Sequence, residues 1–190
     1  MKRKELRLSG SGGQGLILAG IILADAALHD GKNVVQSQSY GPEARGGASK
    51  AEVIISGDII NYPKVNKCDI LLSLTGKAYS EYIDTLKPGG ILILDKSIQA
   101  SVKRGDIKIF SIPILETATE DLNKPMVANI VALGAIYELT KVVSKESLEK
   151  AVLDRVPNGT EELNKKALEA GFKLVLEHGD HIYGEACRSY

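Results

Sequence analysis

Cysteine is scarce. Cys68 and Cys187 are the only two in 190 residues, far apart and outside any C-x-x-C pair. Two such thiols cannot by themselves hold an iron–sulfur cluster or a structural zinc, each of which needs about four ligands. Thin usage of this kind fits a reducing cytoplasm. Net charge is missing too: 24 Lys plus Arg balance 24 Asp plus Glu. That balance excludes the basic excess of a general nucleic-acid binder or of a protein drawn to acidic membranes. A neutral chain also repels its neighbours little, which suits life against other subunits. Long apolar runs are lacking, because Leu16–Ala24 and Ile130–Tyr137 contain glycines and fall short of the roughly 18–20 residues of a membrane span. The basic start Met1-Lys2-Arg3-Lys4-Glu5 meets a glycine turn before any signal core can form. There is no internal repeat and no linker. With 44% hydrophobic and 25% charged residues, the expectation is one soluble domain over residues 1–190.

What the chain does have is glycine in a pattern. Ser9 to Gly15 reads Ser-Gly-Ser-Gly-Gly-Gln-Gly, between a short apolar segment and an apolar helical run. Gly10, Gly12 and Gly15 keep the G-x-G-x-x-G spacing, which turns a strand tightly into a helix and leaves backbone N–H groups bare. A helix start of this kind suits an anion, usually a phosphate. Gln14 adds an amide that can donate to such an anion or accept from a neighbour. The alternative is a turn that serves only architecture or subunit contact. A dinucleotide site also wants an acid about 20 residues further on, to hold a ribose hydroxyl. The segment Asn33-Val34-Val35-Gln36-Ser37-Gln38-Ser39-Tyr40 has none.

Patterning predicts strands at Leu6–Leu8, Val34–Ser39, Ala51–Ile55, Asp69–Leu74, Ile91–Leu94 and Ile107–Ile112. It predicts a helix over Leu16–Leu28, apolar almost all round. A second runs over Lys77–Leu86 and is stopped by Lys87-Pro88-Gly89-Gly90. Pro113 opens a short helix. A long apolar helix covers Met126–Val143, Ser144 caps a helix reaching Val156, and Asn158 with Glu161 caps the last one. Strands alternating with helices give a three-layer α/β/α sandwich, Rossmann-like, around a largely parallel sheet.

A second unusual segment follows the second strand: Tyr40-Gly41-Pro42-Glu43-Ala44-Arg45-Gly46-Gly47. Its glycines and proline define a shaped loop at the C-terminal edge of the sheet, where α/β proteins bind ligands and partners. Tyr and Arg are favoured interface anchors, so a functional loop is preferred over a surface turn holding a solvated ion pair. Asn129 lies in an apolar helix start, where its amide needs partners. Those are supplied by a local cap or, more sharply, by a cofactor at a subunit boundary. Asp95 at a strand end reads as a turn or cap before an acid catalyst. His178 and His181 lack further metal ligands nearby, and His29 complements the end of the first helix.

Gly10-Ser11-Gly12-Gly13-Gln14-Gly15 with Ala19-Gly20, and Tyr40-Gly41-Pro42-Glu43-Ala44-Arg45-Gly46-Gly47-Ala48-Ser49, together resemble the gamma subunits of 2-oxoacid:ferredoxin oxidoreductases. So do Lys87–Gly90, Ile112-Pro113, Ala128–Ala135 and the stretch from Val156-Pro157 to Asn164. The likeness spans nearly the whole chain and is nearest to the 2-oxoglutarate type. It implies the reaction of a 2-oxoacid, coenzyme A and oxidised ferredoxin to acyl-CoA, carbon dioxide and reduced ferredoxin. Such chemistry needs thiamine diphosphate and iron–sulfur clusters. The family's thiamine signature begins Gly-Asp-Gly, and Gly57-Asp58, Gly105-Asp106 and Gly179-Asp180 are each followed by another residue. The resemblance therefore places thiamine diphosphate, Mg and the clusters in alpha, beta and, if present, delta subunits, with no catalytic or metal-binding residue in this chain. It implies a role in buttressing the thiamine-binding chains. The anion-ready helix start adds the expectation of a coenzyme A entrance, with cofactor-binding residues Gly10, Gly12, Gly13, Gln14, Gly15, Tyr40, Gly41, Pro42, Glu43, Arg45, Gly46, Gly47 and Asn129.

Two other readings stay open. One is a free-standing nicotinamide or flavin oxidoreductase, against which the missing ribose acid counts. The other is a dinucleotide- or coenzyme A-binding module that regulates other proteins. An indolepyruvate oxidoreductase beta-type subunit remains within the main reading.

Overall fold

The computed structural model describes residues 2–39, 48–99 and 103–178. Six strands form one sheet: β1 (Lys4–Ser11), β2 (Asn33–Ser39), β3 (Ala48–Ser56), β4 (Cys68–Ser73), β5 (Leu86–Asp95) and β6 (Lys108–Ile112). Their spatial order is β2-β3-β1-β4-β5-β6. β3 is antiparallel to both of its neighbours, while the β1–β4, β4–β5 and β5–β6 pairs are parallel. Five strands thus point one way and β3 alone returns, so the sheet is largely parallel as patterning predicts. The α-helices are α1 (Leu16–His29), α2 (Gly76–Tyr82), α3 (Ile114–Glu116), α4 (Ala128–Thr140), α5 (Lys145–Arg155) and α6 (Glu161–His178), with a π-helical turn over Thr117–Asp121 following α3. Two apolar clusters lie on opposite faces of the sheet. The larger joins Leu6, Leu8 and Leu72 to α1, α4, α5 and α6, and the smaller joins Ile54, Leu71 and Leu92 to α2. This is the expected three-layer arrangement.

β1 is longer than its apolar core suggests, because it buries charge. Leu6 and Leu8 face the larger cluster while Arg7, only 3% exposed, points to the other face. Its guanidinium meets the Glu52 carboxylate of β3 at 2.6 Å, donates to the Val65 carbonyl at 2.7 Å and to the Thr85 hydroxyl, and lies 5.3 Å from the Tyr82 ring centre. A desolvated cation persists only when so fully partnered.

Two expectations about boundaries are corrected. Lys87-Pro88-Gly89-Gly90 does not stop a helix: α2 ends at Tyr82, a 3-10 turn covers Ile83–Thr85, and Lys87–Gly90 lie inside β5. Leu86 pairs with Cys68 and Ile91 with Ile70, so the proline and glycines form an outward bulge between two ladder segments. The long apolar helix is also shorter than expected. A 3-10 turn over Pro125–Val127 precedes α4, and Lys141 at φ 46° ends it. Ser144 caps α5 as expected, accepting from the Ser147 N–H at 3.2 Å.

α4 and α6 approach backbone to backbone at Gly134 and Gly171. A methyl at Gly134 would strike the Leu168 carbonyl, and one at Gly171 the Val131 carbonyl. Gly171→Ala is therefore expected to cost about 1–3 kcal/mol or more and to lower Tm by roughly 5–10 °C. Gly76→Ala, whose methyl meets nothing nearer than 3.9 Å, should leave Tm within about 2 °C; differential scanning calorimetry compares the two.

Asp30 pins the end of α1 to the start of α5. Its carboxylate accepts from the Ser144 N–H at 2.8 Å, the Ser144 hydroxyl at 2.6 Å and the Lys32 ammonium at 2.8 Å. Burial alone would raise its pKa, but Lys32, Ser144 and Ser147 outweigh that and hold the carboxyl well below its ordinary 3.8. A depressed folded-state pKa gives stability that is complete above the unfolded value and lost as pH falls below about 4. Asp30→Asn should cost about 1–3 kcal/mol at pH 7. The gap from the parent should close as urea midpoints are followed from pH 5 down to pH 2.

Candidate functional site

The glycine turn leaves β1 at the end of the sheet to which its parallel strands point. Ser9 is fully buried beneath it, donating to the Leu72 carbonyl at 2.7 Å. Gly13 (φ 87°) and Gly15 (φ 69°) hold left-handed backbone that only glycine takes without strain. Gly10 serves close approach instead, since a methyl there would strike the Gln14 amide and the Leu16 side chain. Gln14 folds back into the turn, its Oε1 accepting from the Ser11 N–H at 2.7 Å. Gly12 and Gly13 form the exposed crest.

Gly15 is the N-cap of α1. No side chain caps the helix there and its first turn carries no acid, so the leading N–H groups keep their positive potential. Behind the turn stands Asn129, 4% exposed. Its Nδ2 donates to the Gly15 carbonyl at 3.2 Å and its Oδ1 accepts from the Ile130 N–H at 3.0 Å. The expected local cap is not formed, since Val127 is the N-cap of α4 and no side chain caps it; Asn129 instead ties the start of its helix to the glycine turn.

Tyr40, Gly41, Pro42, Glu43, Ala44, Arg45, Gly46 and Gly47 lie outside the described residues. Their flanks are placed by pairing: Ala48 sits opposite Ser11, and Ser39 opposite Lys50. The chain thus leaves β2 and re-enters β3 beside the glycine turn.

Sequence reasoning missed a groove next to this turn. It holds about 360 Å³ and is walled by Leu18 of α1, Ile130 of α4, Leu163 of α6 and the Val156-Pro157 corner, with Met126 on its rim. Met126 is 87% exposed. Polar handles are few: Lys124, Thr160, Asn129 and Asn164, whose Nδ2 donates to the Thr160 carbonyl at 2.9 Å. Apolar walls with a few fixed polar groups are the usual make-up of a ligand cleft. Two stretches singled out in the sequence, Ala128–Ala135 and Val156–Asn164, supply much of its lining, but no local pattern shows that they meet α1, because the three segments lie far apart in the chain.

Other candidates have structural duties. Asp95 is buried and accepts from the Ser97 N–H at 2.9 Å, the Ser97 hydroxyl at 2.5 Å and the Leu115 N–H at 2.8 Å, which is the turn role expected of it. Burial, partly offset by Arg7, pushes the Cys68 thiol up to about 11, far from the thiolate form that reacts or ligates. Cys187 and His181 lie outside the described residues. Among the described residues no group of three His, Cys, Asp or Glu could hold a metal ion, and no helix is long and apolar enough to cross a membrane. β2 carries no acid to read a ribose.

Residues 5–174 match the family of pyruvate ferredoxin/flavodoxin oxidoreductases. The 2-oxoglutarate synthase subunit KorC of Methanocaldococcus jannaschii is 53% identical over 178 residues, covering 92% of this chain and 95% of that one. Its counterpart in Methanothermobacter marburgensis is 50% identical, covering 92% and 98%. The crystal structure of the keto/oxoacid ferredoxin oxidoreductase gamma subunit from Geobacter sulfurreducens superposes with a TM-score of 0.82 at 52% identity, over 92% of this chain and 99% of that one. Glycine turn, sheet order and near full-length identity converge: the chain belongs to the pyruvate ferredoxin/flavodoxin oxidoreductase family, in its small gamma-type form.

Proposed function

We propose that this chain is the gamma subunit of a 2-oxoglutarate:ferredoxin oxidoreductase, a cytoplasmic complex forming succinyl-CoA and carbon dioxide from 2-oxoglutarate and coenzyme A. One observation carries the substrate. Identity is 49–53% to three 2-oxoglutarate synthase subunits, against 30–32% to the pyruvate and ketoisovalerate subunits of similar organisms. The two electrons released by decarboxylation pass to ferredoxin. Thiamine diphosphate, Mg and the iron–sulfur clusters that this chemistry needs belong on alpha, beta and, if present, delta partners. The chain acts as one domain over residues 1–190.

Its contribution is to shape the coenzyme A side. The uncapped start of α1 suits a phosphate. The adjoining groove suits the uncharged part of a long ligand, with Lys124 at its mouth. Gly12 and Gly13 keep the crest clear for backbone approach. Gln14 and Asn129 act from behind by fixing the turn, and the described flanks of Tyr40–Gly47, Ser39 and Ala48, lie beside it.

Kinetics of the reconstituted complex test this. Gly12→Asp, which sets a carboxylate on the crest, should raise KM for coenzyme A about tenfold or more, equivalent to roughly 1.4 kcal/mol, with KM for 2-oxoglutarate unchanged. An unaltered coenzyme A dependence in Gly12→Asp and in Arg45→Ala overturns the coenzyme A role. A complex that prefers pyruvate overturns the substrate. Oxidation of 2-oxoglutarate by the isolated chain, or tight binding of NADH or NADPH to it, overturns the subunit reading itself.

A further inference from the structure

The two edges of the sheet differ. β6 is five residues long and begins with Lys108, the short, charged form that discourages strand addition. β2 is seven residues, Asn-Val-Val-Gln-Ser-Gln-Ser, with no charge and no proline. Among the described residues it pairs only with β3, leaving a row of backbone donors and acceptors on its outer side, and none of its own side chains turns another strand away. Val34 and Val35 are only partly buried, one on each face.

The helix beside this edge is equally bare. α1 has one charged carboxylate, Asp25, which Arg155 holds at 2.6 Å. Ile17 and Ile21 are half-buried and Leu28 is 56% exposed, and their spacing puts them on one stripe. That stripe faces outward, away from Leu18 and the groove. At Gly20 the helix rests on Ala51 and Val53 of β3 and Gln36 of β2, so its axis lies over the gap between those two strands.

We propose that the chain forms a two-fold dimer in which β2 pairs antiparallel with β2 of a second copy, continuing the sheet and bringing the two α1 helices side by side. Geometry favours this occupant. Strands are spaced about 4.8 Å apart, so a two-fold axis perpendicular to the sheet stands about 2.4 Å beyond β2 and about 4.8 Å from the α1 axis. The helices then lie about 10 Å apart, the distance at which helices pack. Charge favours it as well. In any antiparallel register of β2 with itself no like charges oppose each other, and a chain of zero net charge has no long-range repulsion from its copy. Such an isologous contact closes on itself and leaves no open edge for further growth.

Sedimentation velocity of the full chain, with amide hydrogen exchange of β2, tests the pairing. A species near twice 20.4 kDa is expected at tens of micromolar, with outward amides of β2 exchanging at least tenfold more slowly than in a diluted, monomeric sample. Gln38→Lys, which charges the edge, and Leu28→Lys, which charges the helix stripe, should each raise the dissociation constant at least tenfold while leaving Tm within a few degrees. A monomeric parent chain overturns the proposal, and so does a dimer that survives both substitutions. If either variant fails to fold, exchange in the parent decides, because fast exchange of the outward β2 amides rules the pairing out. Protection that arises only when partner chains are added assigns the edge to a different protein and overturns self-pairing.

Discussion

A cation in the middle of the sheet sets the terms for its neighbours. Arg7 sits on a central strand with almost no access to water, and its guanidinium is satisfied by groups from β3, from the segment before β4, and from the turn after α2. Removing the Glu52 carboxylate would strand a buried charge, at a cost of several kcal/mol. The pairing of β1 with the one reversed strand is thereby locked, since Arg7 and Glu52 are direct cross-strand neighbours. With that register fixed, Ser11 must end opposite Ala48. The glycine turn, the end of β2 at Ser39 and the start of β3 at Ala48 accordingly lie together. That edge is thus positioned by an ion pair on the opposite face from most of the helices.

At that edge the chemistry is mostly backbone. Glycines remove side chains where close approach is needed, and the polar residues nearby are turned inward: Gln14 to Ser11, Asn129 to Gly15. Among the described residues the turn offers shape and amide dipoles. The aliphatic groove extends the same logic, with few polar handles on a wall of Leu, Ile, Val and Pro.

Much of this was legible in the residues. The apolar run after Gly15, the Ser144 cap and the buried strands Asp69–Leu74 and Ile91–Leu94 declare themselves through period and capping chemistry. The glycine spacing announces the turn, since positive φ restricts positions 13 and 15 to glycine. Other features were hidden for physical reasons. Glu5 and Arg7 look like surface residues, because pairing with β3 is invisible locally, and β1 therefore reads short. Lys87-Pro88-Gly89-Gly90 has the composition of a terminator, yet a bulge lets the strand pass through it. The groove and the Asp30–Ser144 pin join residues more than a hundred positions apart, which no local pattern encodes.

The glycine crossing of α4 and α6 has a mechanical consequence. Where two backbones touch without side chains between them, there is no rotamer to flip and no methyl to compress, so the pair behaves as one stiff wedge. Ile130 and Leu163, which both line the groove, ride on that wedge. Any widening to admit a bulkier guest must therefore come from the ends, at the Pro125–Val127 turn and the Val156-Pro157 corner, and not from sliding of the helices themselves.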